Sequence, residues 1–585
     1  MKSFFKNVLA NIVAIVILCV VFFFFFIIML VFSAMGSEKS VVVKKNSILT
    51  INLKTNIIDS PTEEQKGFFD ISDETKNVLI YDAIEAIRKA KTDNNIKGIS
   101  IEADYLNAGI TQIDDLRNAI QDFKKSGKFV YSYGNTVSQA AYYLGSVADR
   151  YYLNPAGMIE LKGLATEVAF YKDFADKYGI GIEVIRHGKF KSAVEPFIRN
   201  DISPENKEQL STLLNDIWKN TSSRMAASRK IDTAQFRTVV DSLYGMIPDL
   251  GLKYKLADQL IQKTEYDRLI RTKLNLKEDD KLNKISLGKY IASYSDDENS
   301  GDRVAVLYAS GSINGGDNYN DIHSEKYIKY IKDLQENDKV KAVVFRINSP
   351  GGSANASDEI LFELQQLKKK KPLVVSFGDY AASGGYYIAM AADKIYSEPN
   401  TLTGSIGVFG VIPYFKDIAN KNGVRSDIVA TNANSQYYSS LNGVTPYGVN
   451  MITRSVEGTY KRFVHFVTQN RKKTFEQIDN IGGGRVWSGT RAKQIGLVDE
   501  LGTLNDAVKF AAQKAGLKSY NVASFPKRMS PFEQIFKDLN EDDISARVVK
   551  NKIGKANYEL LEQIVEERKL QSEVKMEMPY QIKIN

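Results

Sequence analysis

The sequence predicts an α/β protein made of two tandem copies of one strand–helix unit, behind an N-terminal apolar segment of membrane-spanning length. Three observations predict it. Short buried β-rich runs alternate with helical patterns, as parallel sheets with crossover helices require. One stretch of the chain recurs at a constant offset of 244 residues. The 21 residues from Ile12 to Phe32 are all apolar. A length of 585 residues allows several domains, and 43% hydrophobic with 25% charged residues is the composition of folded globular chains.

The first element, residues 1–36, reads as a membrane anchor that meets the bilayer through residues 8–35. At 1.5 Å per residue the apolar run makes a helix of about 31 Å, the thickness of a bilayer core. A cleaved signal peptide has an apolar core of only about 7–15 residues. Lys2 and Lys6 precede the run and Lys39, Lys44 and Lys45 follow it, so charge counting does not orient the helix. The first copy then spans 45–294 and the second 303–526. Each opens with a strand (Ile48 to Ile51; Val304 to Leu307), continues through a helix to a second strand (Ile96 to Ile101; Val340 to Ile347), and passes a further helix to a third (Lys128 to Tyr133; Pro372 to Phe377). The polar stretch Ser295 to Asp302 reads as a linker, and residues 527–585 as a helical tail of balanced charge.

The duplication rests on aligning Ser132 through Gly179 with Ser376 through Gly423 without a gap. Fourteen of 48 positions are identical, among them Gly134/Gly378, Tyr142/Tyr386, Asp149/Asp393, Pro155/Pro399 and Gly179/Gly423. Unrelated sequences of ordinary composition would match at about three.

Composition excludes several chemistries. A single cysteine, Cys19, rules out an internal disulfide framework and a cysteine zinc site. Three histidines in unrelated contexts, His187, His323 and His465, give no metal-binding spacing, so neither metal nor cofactor is expected. A net charge of +8 spread along the chain is no nucleic-acid footprint.

The candidate chemistry lies where the two copies differ. After the strand Leu373 to Phe377 the chain runs Ala381-Ala382-Ser383-Gly384-Gly385 into a helix, so a serine enters a helix N-terminus among small residues and the Gly384 N–H can face a developing oxyanion. The turn Asn348-Ser349-Pro350-Gly351-Gly352-Ser353 after the preceding strand offers further N–H groups at Gly351 or Gly352. In the first copy Ser383 is matched by Gln139, Gly384 by Ala140, and Pro350-Gly351-Gly352 by Leu106-Asn107-Ala108. Residues required only for folding would have been kept in both copies.

A serine nucleophile needs a base, and no histidine falls near these turns. The first copy carries His187-Gly188-Lys189-Phe190-Lys191-Ser192-Ala193-Val194-Glu195-Pro196-Phe197, in which Lys191 has apolar neighbours and aligns with Ser435 of the second copy. One site completed across both copies accounts for a serine in one and a lysine in the other. Such a lysine works as a base only when burial disfavours its charged form. Lys189, two residues earlier, competes for the role.

These residues resemble the long, duplicated form of the signal peptide peptidase A family, membrane-anchored bacterial serine proteases. The resemblance rests on Phe190 to Phe197, Asn348 to Gly352, Ala382 to Tyr387, Thr403-Gly404-Ser405-Ile406-Gly407-Val408 and Gly484 to Gly489. It implies Ser383 as nucleophile, Lys191 rather than Lys189 as general base, and Ser405 as the hydroxyl that orients the lysine amine. It also implies crotonase/ClpP-like repeats, a homo-oligomer (a tetramer) enclosing the sites, a position on the outer, periplasmic face of a bacterial cytoplasmic membrane, and signal peptides and other apolar peptides as substrates. Two alternatives share the glycine turns: a crotonase-type enzyme acting on acyl-CoA thioesters, and a membrane scaffold without catalysis. The small residues around Ser383 suggest substrates with small side chains before the cut.

Overall fold

The structure is a computed structural model that describes residues 11, 13–23 and 25, then 41–52, 56–61, 77–294, 301–316, 321–526 and 575–578. Residues 13–23 are helical and exposed, but most of the apolar run that suggests an anchor lies outside the described residues, as does most of the linker. Among the described residues no helix is long and apolar enough to cross a membrane.

Each copy is organised on its own parallel sheet. In the first, strands run in the spatial order Gln259–Leu260, Arg150–Ile159, Phe129–Val137, Ile96–Glu102, Ser47–Asn52 and Lys284–Ser286, every pair parallel. In the second, Leu402–Gly404, Leu373–Ala382, Val340–Ser349, Arg303–Ser310 and Asn521–Phe525 follow the same plan, with Lys394–Ser397 beside Leu373–Ala382 and Val486–Ser488 antiparallel at one end. Parallel strands covered by helices on both faces are apolar in both directions. Val343, Phe345 and Ile347 accordingly enter one core while Ala342 and Val344 enter another under the helix Leu504–Lys514.

A third sheet draws on both copies and on the tail. Its order is Ile322–His323, Ile313–Asn314, Gly351–Ser353, Lys575–Glu577, Val408–Tyr414 and Gly181–His187. The first-copy strand Gly181–His187 pairs antiparallel with Val408–Tyr414 of the second over seven residues, from Gly181/Tyr414 to His187/Val408. The described end of the tail is a strand where a helix is expected. Val574, Met576 and Met578 alternate with Lys575 and Glu577 in the sequence, a period of two that suits a strand.

The copies are also joined away from this sheet. Thr111 donates to Asp379 Oδ1 through its N–H and its hydroxyl, both at 2.9 Å. Asn400 donates to Asp114 at 2.7 Å. Arg346, fully buried in the second copy, forms a double hydrogen bond with Asp59 of the first. The 26-residue helix Pro204–Arg229 continues from the lysine segment and holds the strand Val486–Ser488, where Val486 N donates to Gln209 Oε1 at 2.8 Å and Ser488 Oγ to Asp216 at 2.8 Å.

Candidate active site

The strand Leu373–Ala382 ends at Ser383, which sits at φ 56°, ψ −116°, a region that side-chain-bearing residues rarely occupy. Two backbone bonds hold it there: Ser383 N donates to Gly404 O at 2.8 Å, and Tyr387 N donates to Ser383 O at 2.8 Å. The helix Gly384–Ile388 starts at once, so the sharp turn directs the hydroxyl out of the strand line above a helix N-terminus.

Lys191 arrives from the first copy. After the strand Gly181–His187 the chain turns at Gly188 (φ 90°), where a Cβ would stand 2.3 Å from Gly483 O. Phe190 N donates to Gly483 O at 3.1 Å, and Arg186 Nη1 to Lys191 O at 3.2 Å. Gly484, with φ 86°, lies so close that its Cβ would fall 2.6–2.7 Å from the N, Cα and Cβ of Lys191. Beyond Lys191, buried Glu195 accepts from Ser203 Oγ at 2.5 Å and from Asn206 Nδ2 at 3.1 Å, fixing the turn into the long helix.

These supports bring the lysine and the serine together. Lys191 Nζ lies 2.8 Å from Ser383 Oγ, 3.0 Å from Ser405 Oγ and 3.3 Å from Ser405 O, with Lys191, Ser383 and Ser405 all 0% exposed. Ser405 is also held at positive φ, 50°, with its N–H donated to Arg485 O at 2.7 Å. The Phe409 ring lies 5.7 Å from the amine. Lys189, the competitor, is exposed. The glycine turn packs beside the serine: a Cβ on Gly351 (φ 106°) would stand 2.8 Å from Gly384 N, and one on Gly384 3.2 Å from Gly352 N. The Gly351 N–H donates to Ser349 Oγ at 3.1 Å. The histidines stand apart in different ways. His187 stacks on Tyr460 at 3.7 Å, His323 is buried against Gly315 O at 2.8 Å, and His465 is exposed on its helix. Among the described residues no group of three or more His, Cys, Asp or Glu side chains is placed to hold a metal ion.

The profile of Peptidase family S49 matches this chain twice, over residues 122–277 and 365–518, one match in each copy. The chain belongs to peptidase family S49. Within that family its relatives include Protease 4 of Salmonella typhi, 36% identical over 81% of this chain and 79% of that protein, and Protease 4 of Haemophilus influenzae, 33% identical over 82% and 80%. The chloroplastic serine protease SPPA of Arabidopsis thaliana is 31% identical over 81% of this chain and 70% of its own. A Clp protease profile also matches residues 295–403, the part of this S49 protein that holds the glycine turn and Ser383. The S49 chain is therefore a serine protease of the long, duplicated form, and the thioester and scaffold alternatives are set aside.

Sequence reading assigned no role to Gly484, although it lies in a quoted motif; three glycines in a row before Arg485 were the signal for a close backbone approach. It also missed Arg346 and Asp59. A lone arginine inside an apolar strand was the signal there, since such a charge requires a buried partner.

Proposed function

We propose that this S49 protease cleaves apolar peptides, signal peptides among them, through a Ser383–Lys191 dyad. The observation that carries the reading is the 2.8 Å contact between Lys191 Nζ and Ser383 Oγ in a site closed to solvent. Burial disfavours the ammonium form, so the amine is available to take the hydroxyl proton as Ser383 attacks the substrate carbonyl. Ser405 orients the amine. The N–H of Gly384, with that of Gly352, holds the oxyanion, since the Gly351 N–H is already donated to Ser349 Oγ. The protonated lysine then gives its proton to the departing amine, and the neutral lysine activates water to release the acyl group.

Residues 8–35 hold the body at a bacterial cytoplasmic membrane, with the crotonase/ClpP-like copies on the periplasmic side and several chains, a tetramer by resemblance, enclosing the sites. Apolar peptides left in or near that membrane are the natural substrates of such an arrangement. The test is hydrolysis of a synthetic signal peptide in detergent micelles by purified full-length protein. Ser383→Ala and Lys191→Ala each abolish cleavage while leaving the circular dichroism spectrum unchanged; normal cleavage in either variant overturns the dyad.

A further inference from the structure

The helix Ile110–Lys124 of the first copy starts without a capping side chain of its own, since its N-cap is Gly109. The equivalent helix of the second copy, Ala354–Lys370, has Ser353 there, whose Oγ accepts from Ala356 N at 3.4 Å. Ser353 and Gly109 match at the offset of 244. The free N–H groups of a helix N-terminus need acceptors and favour an anionic one. For the first copy that acceptor comes from the second. Asp379 Oδ1 accepts from Thr111 N and Thr111 Oγ1, both at 2.9 Å, and Asp379 Oδ2 accepts from Gln112 Nε2 at 3.4 Å. A Cβ on Gly109 would stand 1.6 Å from Asp379 Oδ2, so the carboxyl of one copy fills the place of the side chain missing from the other.

Asp379 also lies near the end of the strand Leu373–Ala382, which carries Ser383. There the pairing slips: Ile347 faces Phe377 and Ser349 faces Ala381, so Asn348 stands against Gly378, Asp379 and Tyr380 together. A bulge of this kind re-aims the side chain it carries. Its own copy holds it through Tyr380 N, which donates to Asn348 Oδ1 at 3.1 Å, and Thr401 Oγ1, which donates to Gly378 O at 2.7 Å. The first copy acts on the same stretch through Asp59 and its partner Arg346, whose Nη1 donates to Phe377 O at 2.5 Å and to Ser376 Oγ at 2.9 Å. Asn135, matched to Asp379 by the same offset, instead accepts from Asn154 Nδ2 of its own copy at 3.0 Å.

We propose that Asp379 is a positioning residue for the reaction: by capping a first-copy helix it fixes the nucleophile strand of the second copy against the copy that supplies the base. This rests on the reading of Ser383 and Lys191 as the dyad. The hydroxyl and the amine are delivered by different copies, so any play between the copies is felt at their 2.8 Å contact. A displacement of about 1 Å between reacting groups costs up to about a hundredfold in rate. The pairing of Gly181–His187 with Val408–Tyr414 joins the copies on the lysine side, and Asp379 joins them on the serine side.

The test measures kcat, KM and melting temperature on the full chain in detergent micelles, with the synthetic signal peptide as substrate and rates taken well below the lowest melting temperature. Asp379→Ala lowers kcat about tenfold or more with KM within about twofold, and lowers the melting temperature. Asp379→Asn, which keeps an oxygen for Thr111, recovers most of the rate. The deciding variant combines Asp379→Ala with Gly109→Ser. It gives the helix a cap of its own, as Ser353 does in the second copy, in the space that the carboxyl leaves. The melting temperature then returns while kcat stays low. Gly109→Ser alone drives its side chain into Asp379 and lowers both. A double variant that regains its rate together with its stability reduces Asp379 to a helix cap and overturns the proposal. A wild-type kcat in Asp379→Ala beside an inactive Ser383→Ala overturns the positioning role and leaves the dyad standing. Hydrolysis that survives Ser383→Ala overturns the dyad and the positioning role with it.

Discussion

Ser383 and Ser405 both sit at positive φ, and for a residue with a Cβ such a position costs of order 1–3 kcal/mol. The surrounding bonds sustain that strain where the hydroxyl must meet Lys191. Ser383→Gly and Ser383→Ala both remove the hydroxyl, but only glycine relieves the backbone. Both variants are inactive, and the glycine variant is the more stable by about 1 kcal/mol in thermal or urea unfolding. Equal stabilities would show that the turn is not strained. At the lysine, Lys191→Arg keeps a charge that cannot be shed and is as inactive as Lys191→Ala, whereas Lys189→Ala leaves the rate within about twofold. Ser405→Ala removes one partner of the amine, worth about 1.4 kcal/mol or tenfold in kcat/KM. A rate unchanged on that substitution would leave Ser405 without an orienting role.

Among elements, the loop around Gly484 and the strand Gly181–His187 do most to set the lysine's position. Gly484→Ala puts a Cβ within 2.7 Å of the Lys191 backbone at a φ of 86°. The expected result is a fall in kcat of at least tenfold with a much smaller loss of secondary structure by circular dichroism. Much of this was legible in the sequence because strands and their buried alternation are local, and because the duplication supplied an internal comparison that singled out Ser383 and Lys191. The approach of Gly484 to Lys191 was not legible, since it joins segments almost 300 residues apart and depends on how one copy's strand pairs with the other's sheet. The tail strand was missed for another reason. Its alternation covers only Val574 to Met578, too short to stand out within a long charged segment.

At the scale of the molecule, the copies meet across buried charge. Arg346 is paired with Asp59, and its basicity is raised further by the acidic groups around it. Burial pushes Asp115 up to about 7, with the Arg346 guanidinium pulling against it, and pushes Asp379 up to about 6 against the bonds from Thr111. Burial and the neighbouring Asp115 also raise Glu398. An ordinary aspartate loses its proton near pH 4. Between there and about 7 the folded protein keeps a proton at Asp115 that the unfolded chain has released, so stability falls as pH rises through this window. Asp115→Asn removes that contribution, and the drop in melting temperature from pH 5 to pH 8 is smaller than in wild type; an unchanged drop would place the effect elsewhere. The division of the site between copies also governs when activity first arises. Lys191 and Ser383 stand 192 residues apart, and the Gly484 loop that holds the lysine follows later still. Under the dyad proposed above, a chain still emerging from the ribosome holds its base long before its nucleophile, so the nascent protein has no competent protease to turn on itself or its neighbours until the second copy has closed over the first.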